Sequence, residues 1–338
     1  MTNSKNRYDY LDILRVIAMV LVMALHSVCD YYASPIYRGR NLWYVVGYAN
    51  EIARLGVPIF FMISGYLILN KEISNITEFY KKRITKIGVP FIAYDIFYFL
   101  FNCNRNNITP SVNTFFKELF ISGSSYHLWF IYSILLIYLL APFIQMIVKN
   151  CSAKTLFLLL ILITFQTTLR PFINTLLNGT FTLYFADDGF NGYIGYVVLG
   201  YILGKFNFTK KSNCIICFVS LVTFIITPVF TMKSAVKTGE YLLMGGYNIN
   251  HYLEAMGLFL IGKYYLNKRF KLIEILSSSS FSAYFIHVFM LEKLKTIPLP
   301  LPPSAVMLIW FAGTVILSFL WGIAINAFKG MLAKNKQI

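Results

Sequence analysis

The chain has 338 residues, of which 57% are hydrophobic, 17% aromatic and only 13% charged. Soluble domains carry about 25% charged residues, so this composition excludes a soluble enzyme, a disordered protein and a coiled coil. The apolar residues form continuous runs, unlike the short alternating segments of a membrane β-barrel. The sequence therefore predicts an all-α fold, a polytopic integral membrane helical bundle that forms a single transmembrane domain over residues 1–338.

The net charge is +16, from 30 Lys and Arg against 14 Asp and Glu. In a soluble protein this excess would suggest nucleic acid. Here it falls in short loops, where the positive-inside rule and anionic lipids favour it. With a cytoplasmic N-terminus, the inner loops hold roughly twice as many Lys and Arg as the outer loops. We therefore predict that both termini are cytoplasmic, that membrane lipids are partners and that nucleic acid is not.

Ten candidate membrane spans of about 20 residues follow one another along the chain. They lie near 11–29, 43–69, 84–103, 126–148, 154–171, 189–206, 213–231, 248–266, 278–295 and 304–328. The second is long enough to tilt or kink, and Gly56 and Pro58 lie near its middle. We expect the serines at 277–280 to cap the ninth span. The five cysteines are scattered through apolar sequence, which favours packing and predicts no metal site.

The first span carries polar residues with a helical spacing. Arg15 and His26 are separated by eleven steps of 100°, which end about 20° beyond three full turns, so they share one face about 16 Å apart. Asp12 lies one turn before Arg15 and can pair with it. Because ionisable groups are costly in hydrocarbon, this pattern predicts a polar stripe that faces a cavity. The alternative is an Arg15 that snorkels to the interface and a His26 that caps its helix.

Two further basic features could bind an anion. In the second span, Arg54 follows Glu51 by three residues, and Pro58 removes the helical partner of the Arg54 carbonyl. The alternative there is a self-satisfied ion pair. Arg83 and Lys86 belong to a basic cluster at the start of the third span, which is either a topology signal or a phosphate contact.

The other histidines have structural alternatives as well. His127 is followed by the interface anchor Trp129, and His287 lies one turn after Tyr284, where it could be a core hydrogen-bond partner. Asp95 and Glu254 also lie within spans, and neither has an obvious partner in sequence.

Several segments, in chain order, resemble the acyltransferase 3 family of membrane O-acyltransferases. They are YDYLDILRVIAMVLVMALH at 8–26, RLGVPIFFMISGYL at 54–67, KKRITKIGVP at 81–90 and YHLWFIYSILLIYLLAPFIQ at 126–145, with weaker likeness at 193–205 and 280–288. Within the family, the resemblance extends to the branch that contains the enterobacterial common antigen O-acetyltransferase.

The resemblance implies transfer of an acyl group, commonly acetyl from acetyl-CoA, to a hydroxyl of a cell-surface or lipid-linked glycan in a bacterial cytoplasmic (inner) membrane. It makes His26 and Arg15 the expected catalytic residues, and it implies no metal. Arg83 and Lys86 match a basic Arg-x-x-Arg element for the CoA end, although lysine in the second position loses bidentate phosphate contact. The expected substrate-binding residues are Asp12, Arg54, Arg83, Lys86, His127, Trp129, Tyr284 and His287.

Two other functions stay open. The family also resembles the membrane part of a serine racemase fusion, which points to a small-solute transporter, and members near biofilm loci point to polysaccharide export. A transporter binds its solute near broken helices, and the Gly56–Pro58 break fits that reading. A purely structural membrane protein leaves Arg15, Arg54 and His26 unexplained. The oligomeric state is open.

Overall fold

The computed structural model describes residues 8–121, 123–165, 188–239, 241, 243–246 and 248–335. Every regular element in these ranges is helical, which confirms the predicted all-α fold. The helices are α1 (Asp9–Ala33), α2 (Asn41–Ala53), α3 (Gly56–Asn70), α4 (Ile76–Arg83), α5 (Val89–Arg105), α6 (Val112–Ile121), α7 (Trp129–Lys149), α8 (Ala153–Thr164), α9 (Asp188–Lys205), α10 (Lys210–Thr238), α11 (Ile249–Tyr265), α12 (Lys271–Lys295) and α13 (Pro303–Asn335).

Seven helical stretches of the described chain are long and apolar enough to cross a membrane. They are Asp9–Ala33, Asn41–Asn70, Ile76–Arg105, Tyr126–Lys149, Lys210–Thr238, Lys271–Lys295 and Pro303–Ala333. The predicted fifth, sixth and eighth spans correspond to the shorter helices α8, α9 and α11, and the fifth runs on into residues outside the described ranges. The chain is a polytopic membrane protein, while the count of ten and the side of the termini stay predictions.

The predicted kink in the second span is present as a break between α2 and α3. Arg54 caps α2, and α3 begins at Gly56, two residues before Pro58. Proline has no N–H, so a continuous helix would leave the Arg54 carbonyl without its partner. A Cβ at Gly56 would lie 2.7 Å from the Ala18 carbonyl oxygen, so glycine allows α1 and α3 to approach closely at this point.

The third predicted span begins earlier than expected and contains a π-helical turn. Its helix starts at Ile76, and residues Ile84–Gly88 form the π turn before α5. Pro90 cannot donate a backbone hydrogen bond, and the Val89 N–H reaches back to the Ile84 carbonyl. π turns inside helices are frequent at functional sites.

The expectation that residues 277–280 cap the ninth span is wrong. The helix begins seven residues earlier, at Lys271, and Ser277, Ser279 and Ser280 are buried in its interior. The Ser280 hydroxyl is satisfied by the Leu276 carbonyl at 2.9 Å, so the helix continues through the serines. Their small side chains also suit close packing against α13, where a Cβ at Gly322 would lie 2.5 Å from the Ser279 carbonyl oxygen.

The chain divides into two compact units, residues 1–67 with 152–338, and residues 68–151. In the larger unit, α12 packs against α13, α10 against α11, and α1 against α2 and α12. In the smaller unit, α4, the π turn and α7 pack together, and α6 follows α5 as a helix that the sequence analysis missed.

Candidate functional site

Helices α1 and α12 lie side by side and run in the same direction, and this interface is called the α1–α12 seam below. Residues later in α1 contact residues later in α12, which shows that the helices are parallel. The contacts are Asp12 with Ser277, His26 with His287, and Asp30 with Lys295. The predicted shared face of Arg15 and His26 is therefore confirmed, because both side chains contact α12.

The N-terminal end of the seam holds a closed polar triangle. Arg15 Nη1 lies 3.0 Å from Asp12 Oδ1, as the spacing predicts, and it also donates to the Ser277 hydroxyl at 2.8 Å. The Ser277 hydroxyl donates to Asp12 Oδ1 at 2.5 Å. Arg15 keeps 28% of its side chain exposed. The arginine is thus fixed by its neighbours without being fully buried.

A small surface cleft, with room for about one water molecule, adjoins this triangle. Asp12 lines it together with Lys268 and Arg269, which belong to the loop between α11 and α12. Arg269 lies 3.3 Å from Glu274, and its side chain is 65% exposed. These two basic residues were missed as site candidates, because in the sequence they are indistinguishable from the other loop charges that set topology.

The C-terminal half of the seam holds the histidine pair, His26 and His287. Their ring centroids are 5.2 Å apart, and the ring planes are inclined by 38°. His287 is fully buried, and its Nδ1 is 2.5 Å from the backbone carbonyl of Tyr284. A carbonyl can only accept, so the neutral ring of His287 carries its proton on Nδ1 and has its lone pair on Nε2. The ring of Tyr284 also packs against His287, at 5.4 Å.

Arg54 lies in the same unit at the break between α2 and α3. Its Nε donates to the side-chain oxygen of Asn50 at 3.0 Å. The neighbouring Glu51 instead accepts from the Tyr32 hydroxyl at 3.5 Å and faces His251. The self-satisfied Glu51–Arg54 pair considered from the sequence therefore does not describe the arrangement at Glu51.

In the smaller unit, Arg83 lies between two aromatic rings. Its guanidinium carbon is 5.0 Å from the ring centre of Phe79 and 4.8 Å from that of Tyr138, which is cation–π distance. Lys86 is exposed on the π turn. Arg83 and Lys86 belong to the smaller unit, whereas Arg15 and Arg54 belong to the larger one.

His127 is buried at the start of the helix that continues as α7. Its Nδ1 is 2.9 Å from the Ser125 hydroxyl, and its ring packs against Tyr98. Asp95, which had no obvious partner in sequence, accepts from the backbone N–H of Ser124 at 2.8 Å and from its hydroxyl at 3.2 Å. These bonds fix the turn that carries His127.

Trp129 lies two residues beyond His127, at the start of α7, and is 39% exposed. This exposure is compatible with the predicted interface anchor.

Taken together, the apolar helices and the charged groups held between them define a polytopic membrane protein with an internal polar site. A family model described as an acyltransferase domain matches residues 8–326, so the chain belongs to this acyltransferase family. The family resemblance drawn from the sequence is thereby confirmed, whereas the enterobacterial branch stays a prediction.

Two relatives illustrate the range of proteins similar to this chain. A probable poly-beta-1,6-N-acetyl-D-glucosamine export protein from Staphylococcus aureus (strain MRSA252) is 24% identical over 259 residues, which are 73% of this chain and 72% of that protein. An amino-acid racemase from Enterococcus faecalis is 28% identical over 132 residues, or 37% of this chain. The match spans only 18% of that racemase. No solved structure matches the chain.

Proposed function

We propose that this acyltransferase moves an acetyl group from cytoplasmic acetyl-CoA to a hydroxyl of a cell-surface or lipid-linked glycan, and that it does so in a bacterial inner membrane. The observation that carries the proposal is the α1–α12 seam. It has a fixed arginine at one end and a histidine pair further along. Eleven helical residues separate Arg15 from His26, a distance of about 16 Å that suits the narrow pantetheine arm of CoA.

The donor end of the site holds the basic residues Lys268 and Arg269 beside the acidic residues Asp9, Asp12 and Glu274. CoA carries phosphates, and arginine binds phosphate through paired, charge-assisted hydrogen bonds. Arg15 retains an exposed portion beside the cleft that Lys268 and Arg269 line. Arg54, Arg83 and Lys86 complete the proposed donor contacts, with Asp12 holding Arg15 in place.

The chemistry is assigned to His26 as general base. Its neutral imidazole takes the proton from the acceptor hydroxyl, and the oxygen attacks the thioester carbonyl. The new ester C–O bond forms, the C–S bond breaks, and the leaving CoA thiolate receives the proton from the imidazolium. Histidine is neutral in a substantial fraction at pH 7, which base catalysis requires. His287, held by the Tyr284 carbonyl, orients His26 or the acceptor.

The remaining acceptor contacts are assigned to His127, Trp129 and Tyr284. Trp129 is part-exposed beside the turn that holds His127, and an aromatic face is suited to a sugar ring. Tyr284 packs against His287 and so lies next to the proposed base.

Export or solute transport is the second candidate function. The Staphylococcus aureus relative is named a probable polysaccharide export protein and aligns over most of both chains. The break between α2 and α3 also fits a transporter, because solute sites form at discontinuous helices.

Purified protein in lipid nanodiscs, incubated with acetyl-labelled acetyl-CoA and bacterial glycans, distinguishes the two functions. Acyl transfer predicts label on the glycan or on the protein, and free labelled acetate is the control because it lacks the thioester. An unlabelled glycan and protein, together with solute or polysaccharide movement across reconstituted vesicles, would support transport instead.

A further inference from the structure

A second group of ionisable side chains lies inside the larger unit, separate from the histidine pair. It consists of Glu51 on α2 with His251 and Glu254 on α11, and is called the carboxylate–histidine cluster. Each of the three is at most 4% exposed. Burial of two carboxylates and one imidazole in a membrane protein costs free energy. The group therefore needs either partners that compensate this cost or a function that justifies it.

One side of the cluster is satisfied by hydrogen bonds. His251 Nδ1 is 3.1 Å from Glu254 Oε2, and the Thr227 hydroxyl of α10 donates to Glu254 Oε1 at 2.9 Å. An ionised carboxylate can only accept, so Nδ1 of His251 is the donor in this pair. In a neutral ring, Nε2 of His251 then carries a lone pair and no proton.

The other side of the cluster is incomplete. His251 Nε2 points at Glu51 Oε2 across 3.9 Å. Neither atom makes a hydrogen bond within the described part of the chain, although both are buried. A lone pair that faces a carboxylate oxygen in a dry site is repulsive, and the repulsion disappears when one proton lies on either atom.

We propose that the carboxylate–histidine cluster is an internal proton-binding site, in which one exchangeable proton binds either His251 Nε2 or Glu51 Oε2 and draws the two atoms from 3.9 Å into hydrogen-bond distance. Binding converts the neutral imidazole to imidazolium, or the Glu51 carboxylate to its acid. In both cases the charge of the cluster changes from two negative to one, and no other reactant is needed. This proton site does not depend on acyl transfer at His26.

Titratable and apolar groups both lie next to the proton site. Tyr32 of α1, Arg54 at the end of α2 and Tyr196 of α9 are the other titratable groups that interact with its carboxylates. An apolar cluster that includes Tyr32, Trp43 and Met232 packs beside it.

A metal ion is a poor occupant for the cluster. Metals need ligand atoms at about 2 Å. No group of three His, Cys, Asp or Glu side chains in the described ranges is arranged to hold one. A proton needs only one of the two facing atoms.

Nitrogen-15 NMR of the full chain in lipid bilayers, labelled at its four histidines, tests the proposal. The variant His251→Gln identifies the His251 signals by their loss. Between about pH 8 and pH 5 the wild-type Nε2 signal should shift as the proton binds. In Glu51→Gln, an amide that does not titrate replaces the carboxylate that attracts the proton, so this shift should be abolished.

The control is Glu72→Gln, which alters an exposed carboxylate and should leave the His251 titration unchanged. If the chemical shift of the wild-type His251 signal does not change with pH, the proposal is overturned without any variant. The same holds if Glu51→Gln, shown to be folded by its thermal unfolding, titrates like the wild type. If Glu51→Gln does not fold, Glu254→Gln takes its place, and this variant should change the pH range over which the His251 signal shifts. An unchanged His251 titration in Glu254→Gln also overturns the proposal.

Discussion

Ser277 joins α12 to the Asp12–Arg15 ion pair, and Ser277→Ala should loosen the α1–α12 seam. The substitution removes two interhelical hydrogen bonds, at 2.5 Å to Asp12 and 2.8 Å from Arg15. Such bonds between membrane helices average about 0.6 kcal/mol and reach about 1.7 kcal/mol, so we expect a loss of about 1 to 3 kcal/mol in the free energy of unfolding.

The assay is reversible unfolding of the purified protein in mixed micelles. Ser278→Ala is the matched control, because Ser278 is exposed on the same helix and bonds only to the Ile275 carbonyl within its own turn. A cycle with Asp12→Ala, which removes the acceptor of the Ser277 hydroxyl, adds a second criterion. The double variant should lose less than the sum of the single losses, since both substitutions break the same contact.

Two results would refute this reasoning about the seam. One is a Ser277→Ala protein that is no less stable than Ser278→Ala. The other is strictly additive losses in the cycle, which would mean that Asp12 and Ser277 do not interact.

Three further outcomes follow from the same contacts. Gly65→Ala places a Cβ against the backbone of α9 and should lower the free energy of unfolding by about 1–3 kcal/mol. The control Gly330→Ala places its Cβ in open space and should not lower it. Equal stabilities of the two variants would contradict the packing of Gly65 against α9. Arg83→Ala should raise the KM for acetyl-CoA with little change in kcat, because a phosphate contact holds ground and transition states alike; an unchanged KM would remove Arg83 from the donor site. Single cysteines at Lys233 and Lys210 should label from outside and inside respectively, and the reverse pattern would invert the topology.

Local helical geometry made part of the site predictable. The shared face of Arg15 and His26 follows from the rise and twist of one helix. In the structure, both side chains extend from α1 and contact α12. The break near Pro58 is likewise a backbone property of one segment, so it too was predictable.

Partners contributed by distant segments were not predictable. Thr227 comes to Glu254, and Ser124 to Asp95, from other segments of the chain, whereas His251, three residues before Glu254 on the same helix, was within reach of sequence reasoning and was overlooked. Even the short Glu254–His251 spacing gives no hint of Glu51, which a separate helix brings to His251. Helix packing determines these contacts, and one sequence carries little direct information about it.

The serines at 277–280 show how a local signal can mislead. A serine run is typical of a helix start, but here the helix already begins at Lys271. Burial against neighbouring helices outweighs the capping preference, and Ser277 becomes a contact to Asp12 instead.

The rate of acetyl transfer by His26→Ala, measured beside its acetyl-CoA Kd, tests the central claim most directly. Loss of a general base is worth about 100- to 10,000-fold in rate, so transfer should fall by that factor while the Kd stays near the wild-type value. His127→Ala, whose histidine is buried against Tyr98 in the smaller unit, is the control and should lose much less. Near-normal transfer by His26→Ala would contradict the account and leave His26 as a packing partner of His287 in the α1–α12 seam.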